Sequence, residues 1–297
     1  MKYIITGSIG HISKPLSKAL IDAGHELTII TSSAAKADEI KALGATPAVG
    51  SIEDRDFLNR TFAGADAAYL MIPPNWNPTN WLGWQKQIAD NYVAAVKANN
   101  IKHLLVLSSV GAHMGTGCGP VDGIAYLEQQ LAPLTEINIK FLRAGYFFYN
   151  LYSQTDMIKH AGFVGSTQPS DFRMVLTHTD DIAAAAAAHL VKPTFTGHSV
   201  QYVGSDDTHT WADITKALGA AIGKPELPYV ELSDEQSYEG MVQAGLSPAT
   251  ANGYKAMGQA LRSGDMLADY WQHKPATPGT LTVEEFAYQF ATAYNAA

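Results

Sequence analysis

Short apolar runs alternate with stretches of helical periodicity through the first half of the chain. The runs are four to six residues long and rich in β-branched side chains. Short continuous apolar runs predict buried strands, whereas apolar residues that recur every three to four positions predict helices. The predicted strands are Tyr3–Thr6, Leu27–Thr31, Thr46–Val49, Ala67–Ile72, His103–Leu107 and Ile139–Leu142. The predicted helices are residues 12–23, 34–43, 54–62, 85–98 and 125–131.

This alternation, repeated about six times over some 140 residues, predicts an α/β fold. Strands that are apolar throughout are buried on both faces, as in a parallel sheet with helices on either side. The sequence therefore predicts a doubly wound parallel sheet. In such folds ligands bind at the carboxyl ends of the strands, so those ends are where chemistry is expected.

The second half of the chain is less regular. Asp180 and Asp181 are predicted to cap a helix through the alanine-rich residues 183–188, Val200–Val203 a further strand, and Trp211–Ile222 a further helix. Several Gly and Pro residues interrupt the remainder. We therefore expect a cofactor-binding domain at residues 1–150 and a smaller substrate-side lobe at 151–297, which contributes partly to the same sheet.

Composition and charge exclude several classes of protein. Hydrophobic residues make up 46% of the 297 and charged residues 16%, which argues against disorder and coiled coil. The net charge of −8 argues against a nucleic-acid-coating protein. Cys118 stands alone, so an intramolecular disulfide and a cysteine zinc site are excluded. No apolar run approaches a membrane span and no signal peptide is evident, so a soluble cytoplasmic protein is expected.

The strongest motif is TGSIGHIS, which directly follows the first predicted strand and opens the first helix. Gly7 permits a sharp turn, Gly10 permits close approach of the backbone to a phosphate, and Ser13 is small enough for helix–strand packing. The start of the helix then offers free N–H groups to a pyrophosphate. The predicted cofactor contacts in this motif are Thr6, Gly7, Ser8, Gly10, His11 and Ile12. Of these, the two glycines, His11 and Ile12 are expected to hold the pyrophosphate.

The end of the second strand indicates which dinucleotide binds. An NAD site usually has an acidic residue there for the ribose hydroxyls. This chain has Thr31, Ser32 and Ser33 instead, with Lys36 close behind, and Ser51 follows the third strand. These residues predict a preference for NADP(H) over NAD(H), although Ser32 and Ser33 could equally cap the next helix.

The chain resembles the atypical short-chain dehydrogenase/reductase group, and within it the NmrA-like branch with its bacterial NAD(P)H quinone oxidoreductases. The resemblance is carried by TGSIGHIS, the paired serines after the fifth strand, FLRAGYFFYN, HTDDIAAAAAAHL and KPATPGTLTVEEF. It implies a Rossmann domain and a small carboxyl-terminal domain, with the substrate cleft between them. It also implies that Pro73 and Ser108 border the nicotinamide.

The chain departs from the wider superfamily in its proton relay. The expected Tyr-x-x-x-Lys is absent after the fifth strand, where Tyr126 is followed by Gln130. The only such spacing, Tyr270 to Lys274, lies far along the chain and is interpreted as chance. Without the relay, the expected acceptor is a quinone or similar planar molecule, because its reduced anion can take a proton from water.

Candidate chemistry at the carboxyl edge is aromatic. Tyr146 and His113 are candidate proton donors, with cleft wall and exposed loop as the alternative interpretations. The substrate contacts are predicted at Trp76, Trp81, Tyr146, Phe147 and Asn150, where ordinary packing is the alternative. No histidine pair has metal-ligand spacing, so no metal is expected.

Two rival functions remain open at this point. NmrA-like relatives include redox sensors that bind the dinucleotide and a protein partner without turnover. A sugar-nucleotide epimerase or dehydratase is disfavoured by the missing Tyr/Lys pair. The sequence also leaves open whether the chain forms a homo-oligomer.

Overall fold

A computed structural model describes residues 1–75 and 78–296. Its centre is a parallel sheet of seven strands in the order β10-β6-β5-β4-β1-β2-β3. The seven strands are β1 Lys2–Ile5, β2 Glu26–Thr31, β3 Thr46–Val49, β4 Ala67–Leu70, β5 His103–Ser109, β6 Asn138–Ala144 and β10 His198–Val203. Because neighbouring strands all run in the same direction, their carboxyl ends line one edge of the sheet.

Helices cover both faces of this sheet. One face carries α1 Ser13–Asp22, α2 Ala37–Ala42 and α7 Thr179–Leu190, and the other carries α3 Arg55–Phe62, α4 Trp81–Ala98 and α5 Asp122–Leu131. Successive residues of a strand point to opposite faces. Thus Leu105 and Leu107 pack with α1 and α7, whereas Leu104 and Val106 pack with α4 and α5.

The later part of the chain adds helices and two small sheets. The small sheets pair β7 Tyr146–Phe147 with β9 Leu176–Thr177, and β8 Val164–Ser166 with β11 Tyr229–Glu231. The helices are α6 Gln154–His160, α8 Trp211–Ala221, α9 Asp234–Gln243, α10 Pro248–Arg262, α11 Asp265–His273 and α12 Val283–Ala296. A third core forms where α8 and α12 pack around Phe148, and a fourth forms where α11 packs on the end of the main sheet.

The predicted fold class is confirmed: the central sheet is parallel and flanked by helices, with the Rossmann arrangement. The late strand near Val200 does join the sheet, at its β6 edge. The division of the chain at residue 150 stays a prediction.

One predicted cap is wrong. Helix α7 begins after His178, whose ring nitrogen accepts the Asp180 N–H at 3.2 Å. Asp180 and Asp181 lie inside the first turn, where carboxylates favour the positive end of the helix. Asp181 is used elsewhere: it accepts hydrogen bonds from Ser205 Oγ and from the backbone and hydroxyl of Thr280. It therefore ties α7 to the late TPGT segment.

Candidate functional site

The loop between β1 and α1 forms a glycine cradle. Gly7 has a φ of 84°, and a Cβ there would lie 2.8 Å from Ser13 Oγ and 3.0 Å from Met71 Sδ. Ser13 Oγ in turn donates to the Thr6 carbonyl oxygen at 2.9 Å. Gly7 is thus required both by its left-handed backbone and by the close packing of the helix start on the strand end.

The start of α1 keeps few backbone donors for a ligand, because Lys14 already donates to the Gly10 carbonyl oxygen at 3.0 Å and Pro15 has no N–H. Ile12 occupies the cap position, no side chain caps the helix, and its first turn holds no acidic residue. The first N–H groups of a helix need acceptors, and an anion can supply them. A Cβ on Gly10 would meet only the Gly7 carbonyl oxygen, at 3.2 Å, so this side of the loop is open. The geometry fits a pyrophosphate above Gly10.

Ser8 connects this loop to the end of β2. Its φ of 56° is left-handed, which is unusual for a residue with a side chain. Its hydroxyl donates to Thr31 Oγ1 at 3.0 Å, and Thr31 Oγ1 also accepts the Ser33 N–H at 3.2 Å. Hydroxyl groups therefore hold the loop between β1 and α1 against the end of β2, where the ribose contacts are predicted.

Two of the predicted ribose contacts face solvent at this end of β2. Ser32 and Lys36 are exposed, and among the described residues no ion pair involves the Lys36 ammonium. No helix-capping hydrogen bond is made by Ser33, the residue that precedes this helical turn. Ser51 is also exposed and its hydroxyl accepts the Glu53 N–H at 3.1 Å. The end of β2 thus presents hydroxyls and one cation.

The segment that follows β4 lies beside Thr6 at the carboxyl edge of the sheet. The Thr6 hydroxyl donates to the Tyr69 carbonyl oxygen and accepts the Met71 N–H, so it is used within the sheet. Pro73 is partly exposed just after the strand. Trp76, a predicted substrate contact, lies outside the described residues.

The β5 end holds a buried ion pair that the sequence reasoning missed. Ser108 Oγ donates to Glu128 Oε1 at 2.5 Å, and Arg143 holds the same carboxylate through Nε at 3.1 Å and Nη2 at 2.7 Å. Both charged side chains are nearly buried. The Arg143 guanidinium also contacts Asp269 at 3.1 Å. The Ser108 hydroxyl therefore uses its only proton in the hydrogen bond to Glu128.

His113 contacts helix α11. Its Nε2 donates to the Asp265 carbonyl oxygen at 3.1 Å, and its side chain is otherwise exposed. This contact supports the exposed-loop interpretation of His113, and its role as a donor stays a prediction.

The aromatic residues after β6 differ in how deeply they are buried and in what they contact. Tyr146 packs edge-on to Trp211, and burial, with a further contribution from nearby Tyr254, raises the pKa of its phenol well above the usual range. Phe147 is half-buried against the α1 and α7 face. Tyr149 is 53% exposed, and its ring lies 4.7 Å from the His11 ring of the glycine loop. Asn150 is exposed beside it.

Trp81 begins α4 and faces α10. A Cβ on Gly253 would lie 2.7 Å from the Trp81 indole, so the indole packs directly on the backbone of α10. The next residue of α10, Tyr254, has its pKa raised by burial to about 12. Trp81 is thus held against α10, and its role as a substrate contact stays a prediction.

Tyr270 and Lys274 meet at one carboxylate. Tyr270 Oη donates to Asp207 Oδ2 at 2.9 Å and Lys274 Nζ donates to the same oxygen at 2.7 Å. Burial and the Asp207 hydrogen bond raise the pKa of Tyr270. Both groups are bound to Asp207, an arrangement that fits a structural role for the pair.

Metal-binding clusters and membrane-spanning helices are both absent from the described residues. Across residues 1–75 and 78–296, no group of three or more His, Cys, Asp or Glu side chains is arranged to hold a metal ion. In the same part of the chain, no helix has the length and apolar content that crossing a membrane requires.

The geometry defines a Rossmann-type fold, and part of the chain also matches a family model. Residues 7–126 match the family model described as NAD(P)H-binding. A curated relative, an uncharacterized protein of Schizosaccharomyces pombe, is 35% identical over 66 residues, which is 22% of each chain. The matched segments cover about a fifth of the length of the curated relatives.

Solved structures match over nearly the whole chain. An NADPH-dependent quinone oxidoreductase from Escherichia coli, complexed with NADPH, has a TM-score of 0.77 at 21% identity, covering 97% of this chain and 99% of that one. A triphenylmethane reductase from Citrobacter has a TM-score of 0.75 at 19% identity, with coverage of 98% and 100%. A nucleoside-diphosphate-sugar epimerase from Staphylococcus aureus reaches 0.76 at 17% identity, with coverage of 97% and 100%.

These comparisons confirm the resemblance drawn from the sequence. Residues 7–126 are similar to the NAD(P)H-binding family, and the chain shares its fold with the quinone and dye reductases above. Because an epimerase has the same fold, the fold by itself does not distinguish reduction from epimerisation. The chemistry must be argued from the site residues.

Proposed function

We propose that this protein is an NADPH-dependent reductase that transfers a hydride to a quinone or a similar planar acceptor. The observation that carries the proposal is the hydrogen bonding of Ser108. Its hydroxyl, at the end of β5, donates a hydrogen bond to Glu128, and Arg143 pairs with the same carboxylate. The residues at this strand end favour acceptors that need no acid from the enzyme.

The chemistry follows from that arrangement. Bound NADPH would supply a hydride, which is one proton and two electrons. A quinone that receives it becomes a hydroquinone anion, which takes its remaining proton from water, whereas an aliphatic ketone needs a positioned acid. Gly7, Gly10 and the uncapped start of α1 would hold the pyrophosphate. Pro73 and Ser108 would border the nicotinamide.

The proposed preference for NADPH rests on the end of β2. Ser32 and Lys36 are exposed there, and the segment from Thr31 to Lys36 holds no carboxylate that would repel a 2′-phosphate. Hydroxyls and an ammonium can hold such a phosphate by charge-assisted hydrogen bonds. The acceptor would lie against Trp81 and the aromatic residues after β6, with Trp76, Phe147 and Asn150 as further proposed contacts.

Steady-state turnover tests the proposal. NADPH oxidation is followed at 340 nm with a soluble quinone, with an aliphatic ketone and without an acceptor. We expect turnover with the quinone alone. Tight NADPH binding without turnover on any acceptor would instead support the redox-sensor alternative. Conversion of a nucleotide sugar with no net cofactor consumption would support an epimerase.

Tyr270→Phe is the control for a hidden proton relay. The substitution removes the phenol that donates to Asp207, and we expect quinone turnover to change by less than about threefold, because the phenol is not the acid. A ketone reductase that loses several orders of magnitude in rate on this substitution would overturn the proposed mechanism.

A further inference from the structure

The His11–Tyr149 contact joins the loop between β1 and α1 to the segment that follows β7. His11 lies in the glycine loop just before α1, and Tyr149 lies in a short 3-10 helix, Phe148–Ser153, that follows β7. Their ring centroids are 4.7 Å apart with 41° between the planes. A dinucleotide that spans from the β2 end to the β5 end passes this position.

The contact is supported from the lobe. Tyr149 packs edge-on against Tyr152, with 5.5 Å between centroids. Tyr152 stacks on Phe290 of α12 at 5.9 Å and 8°, and contacts Phe286 at 5.3 Å. Phe286 and Phe290 are fully buried. The exposed Tyr149 ring is thus the outer end of an aromatic row anchored in the third core, and is not a free surface side chain.

We infer that Tyr149 is a cofactor-retaining residue, whose ring closes over the pyrophosphate of the bound dinucleotide by packing on His11. This inference rests on the proposed dinucleotide site. The contact involves His11 of the loop between β1 and α1, so a pyrophosphate bound at the proposed site would lie beside the ring pair. Aromatic pairs of this kind add to the stability of a contact beyond the area that they bury.

Release of NADPH measures this role directly. The dissociation rate is recorded by stopped-flow fluorescence, with excess unlabelled NADP⁺ as the chase, for the wild type and for Tyr149→Ala, Tyr149→Phe and Tyr288→Ala. We expect Tyr149→Ala to release NADPH about tenfold faster and Tyr149→Phe to release it at close to the wild-type rate, because the ring is kept. Tyr288, 73% exposed on α12, is the matched control and should have no effect.

A double-mutant comparison separates the ring contact from a general effect. If the two rings act as one contact, His11→Ala will speed release and Tyr149→Ala will add little to it. Independent, multiplicative effects would overturn the inference, as would a Tyr149→Ala variant that releases NADPH at the wild-type rate. If Tyr149→Phe released NADPH as fast as Tyr149→Ala, that result would also overturn the inference.

The same experiment distinguishes failure of the inference from failure of the proposed function. A wild-type protein that binds neither NADPH nor NADH would refute the dinucleotide site and, with it, the inference. A wild-type protein that binds NADPH, alongside variants that all release it at one rate, would refute only the role of Tyr149.

Discussion

Gly7 and Gly10 serve different purposes in the loop after β1. Gly7 has left-handed backbone and a neighbour within 3 Å of any Cβ, so it is required by the fold of the loop. At Gly10 only the Gly7 carbonyl oxygen lies near an added Cβ, at 3.2 Å, so the proposed pyrophosphate is what would require a glycine there. Substitution at Gly10 therefore tests binding more directly than substitution at Gly7.

Gly10→Val is expected to weaken NADPH binding at least tenfold, which is about 1.4 kcal/mol. The branched side chain would occupy the space that a pyrophosphate needs above the helix start. Fluorescence titration with NADPH measures the change. Gly240→Val is the control, because Gly240 has an ordinary φ and nothing within 4 Å of a Cβ. Unchanged affinity in a folded Gly10→Val protein would refute the assignment of the loop.

Ser32→Asp is expected to reverse the proposed preference for NADPH. A carboxylate at this exposed position repels a 2′-phosphate and accepts from ribose hydroxyls, each effect being worth about 1–2 kcal/mol. Dissociation constants for NADPH and NADH are compared at one fixed salt concentration, because the phosphate contribution is screened. The exposed Ser170 offers a control, Ser170→Asp. A ratio that Ser32→Asp leaves untouched would contradict the interpretation of the β2 end.

Whole elements are joined at the Glu128–Arg143 pair. Glu128 belongs to α5, Arg143 to β6 and Ser108 to β5, so three hydrogen bonds to one carboxylate fix the helix over two adjacent strands. Arg143 also reaches Asp269 of α11, which brings the late lobe onto the same point of the sheet.

Glu128→Gln is expected to lower the free energy of unfolding by about 3 kcal/mol, since breaking one side of a buried ion pair leaves the other charge poorly compensated. The remaining contact of Arg143 with Asp269 keeps the loss from being larger. Urea unfolding measures it. Glu26→Gln, at the exposed Lys2–Glu26 pair of 4.0 Å, should change stability by no more than about 0.5 kcal/mol. Equal effects at the two sites would contradict the role given to the buried pair.

Elements that depend on local pattern were predictable from the sequence. The six early strands and the glycine loop were found because their apolar runs and turn residues are contiguous. Helix α4 begins at Trp81, four residues before its predicted start, because the Asn80 side chain caps it. The two-residue and three-residue strands β7, β8, β9 and β11 have no periodic pattern of their own.

Contacts between distant segments were not predictable. The partners of Ser108, His11 and Asp181 lie 20 to 138 residues away along the chain, and nothing in the local sequence indicates the pairing. Tyr270 and Lys274 show the reverse case, in which a local spacing typical of a catalytic relay serves instead to bind Asp207.

At the scale of the whole molecule, His209 joins the loop after β10 to the start of α12. Its Nδ1 contacts Asp206 at 2.8 Å and its Nε2 contacts Glu284 at 3.1 Å. Burial opposes the charge on His209, but the hydrogen bonds and charges of these two carboxylates raise its pKa. Burial likewise opposes the charge on Asp206, and its bonds to His209 and Thr208 lower its pKa below the usual 3.8.

This arrangement predicts a stability that depends on pH. A raised histidine pKa stabilises the fold fully below the unfolded value of 6.5 and ceases to do so as the pH rises through the folded value. The lowered pKa of Asp206 stabilises the fold above pH 3.8, and this stabilisation is lost as the pH falls further. We expect the stability difference between the wild type and His209→Gln to be about 1–2 kcal/mol at pH 5.5 and smaller at pH 8.5.

Thermal unfolding at the two pH values measures this difference. The exposed His160 provides the control, and His160→Gln should show no comparable dependence. A His209→Gln deficit that grows as the pH rises would contradict the assigned direction of the shift.

The addition of β10 to the β6 edge has a consequence for biosynthesis. Strand β6 ends at Ala144, whereas its outer neighbour ends at Val203, so a ribosome must extend the chain by about 60 residues before that edge can be paired. During that interval the nascent sheet exposes unpaired backbone groups beside apolar side chains, a state prone to association with other chains. A fragment ending at residue 150 would keep that exposed edge permanently, and we expect it to aggregate on expression, as gel filtration would reveal.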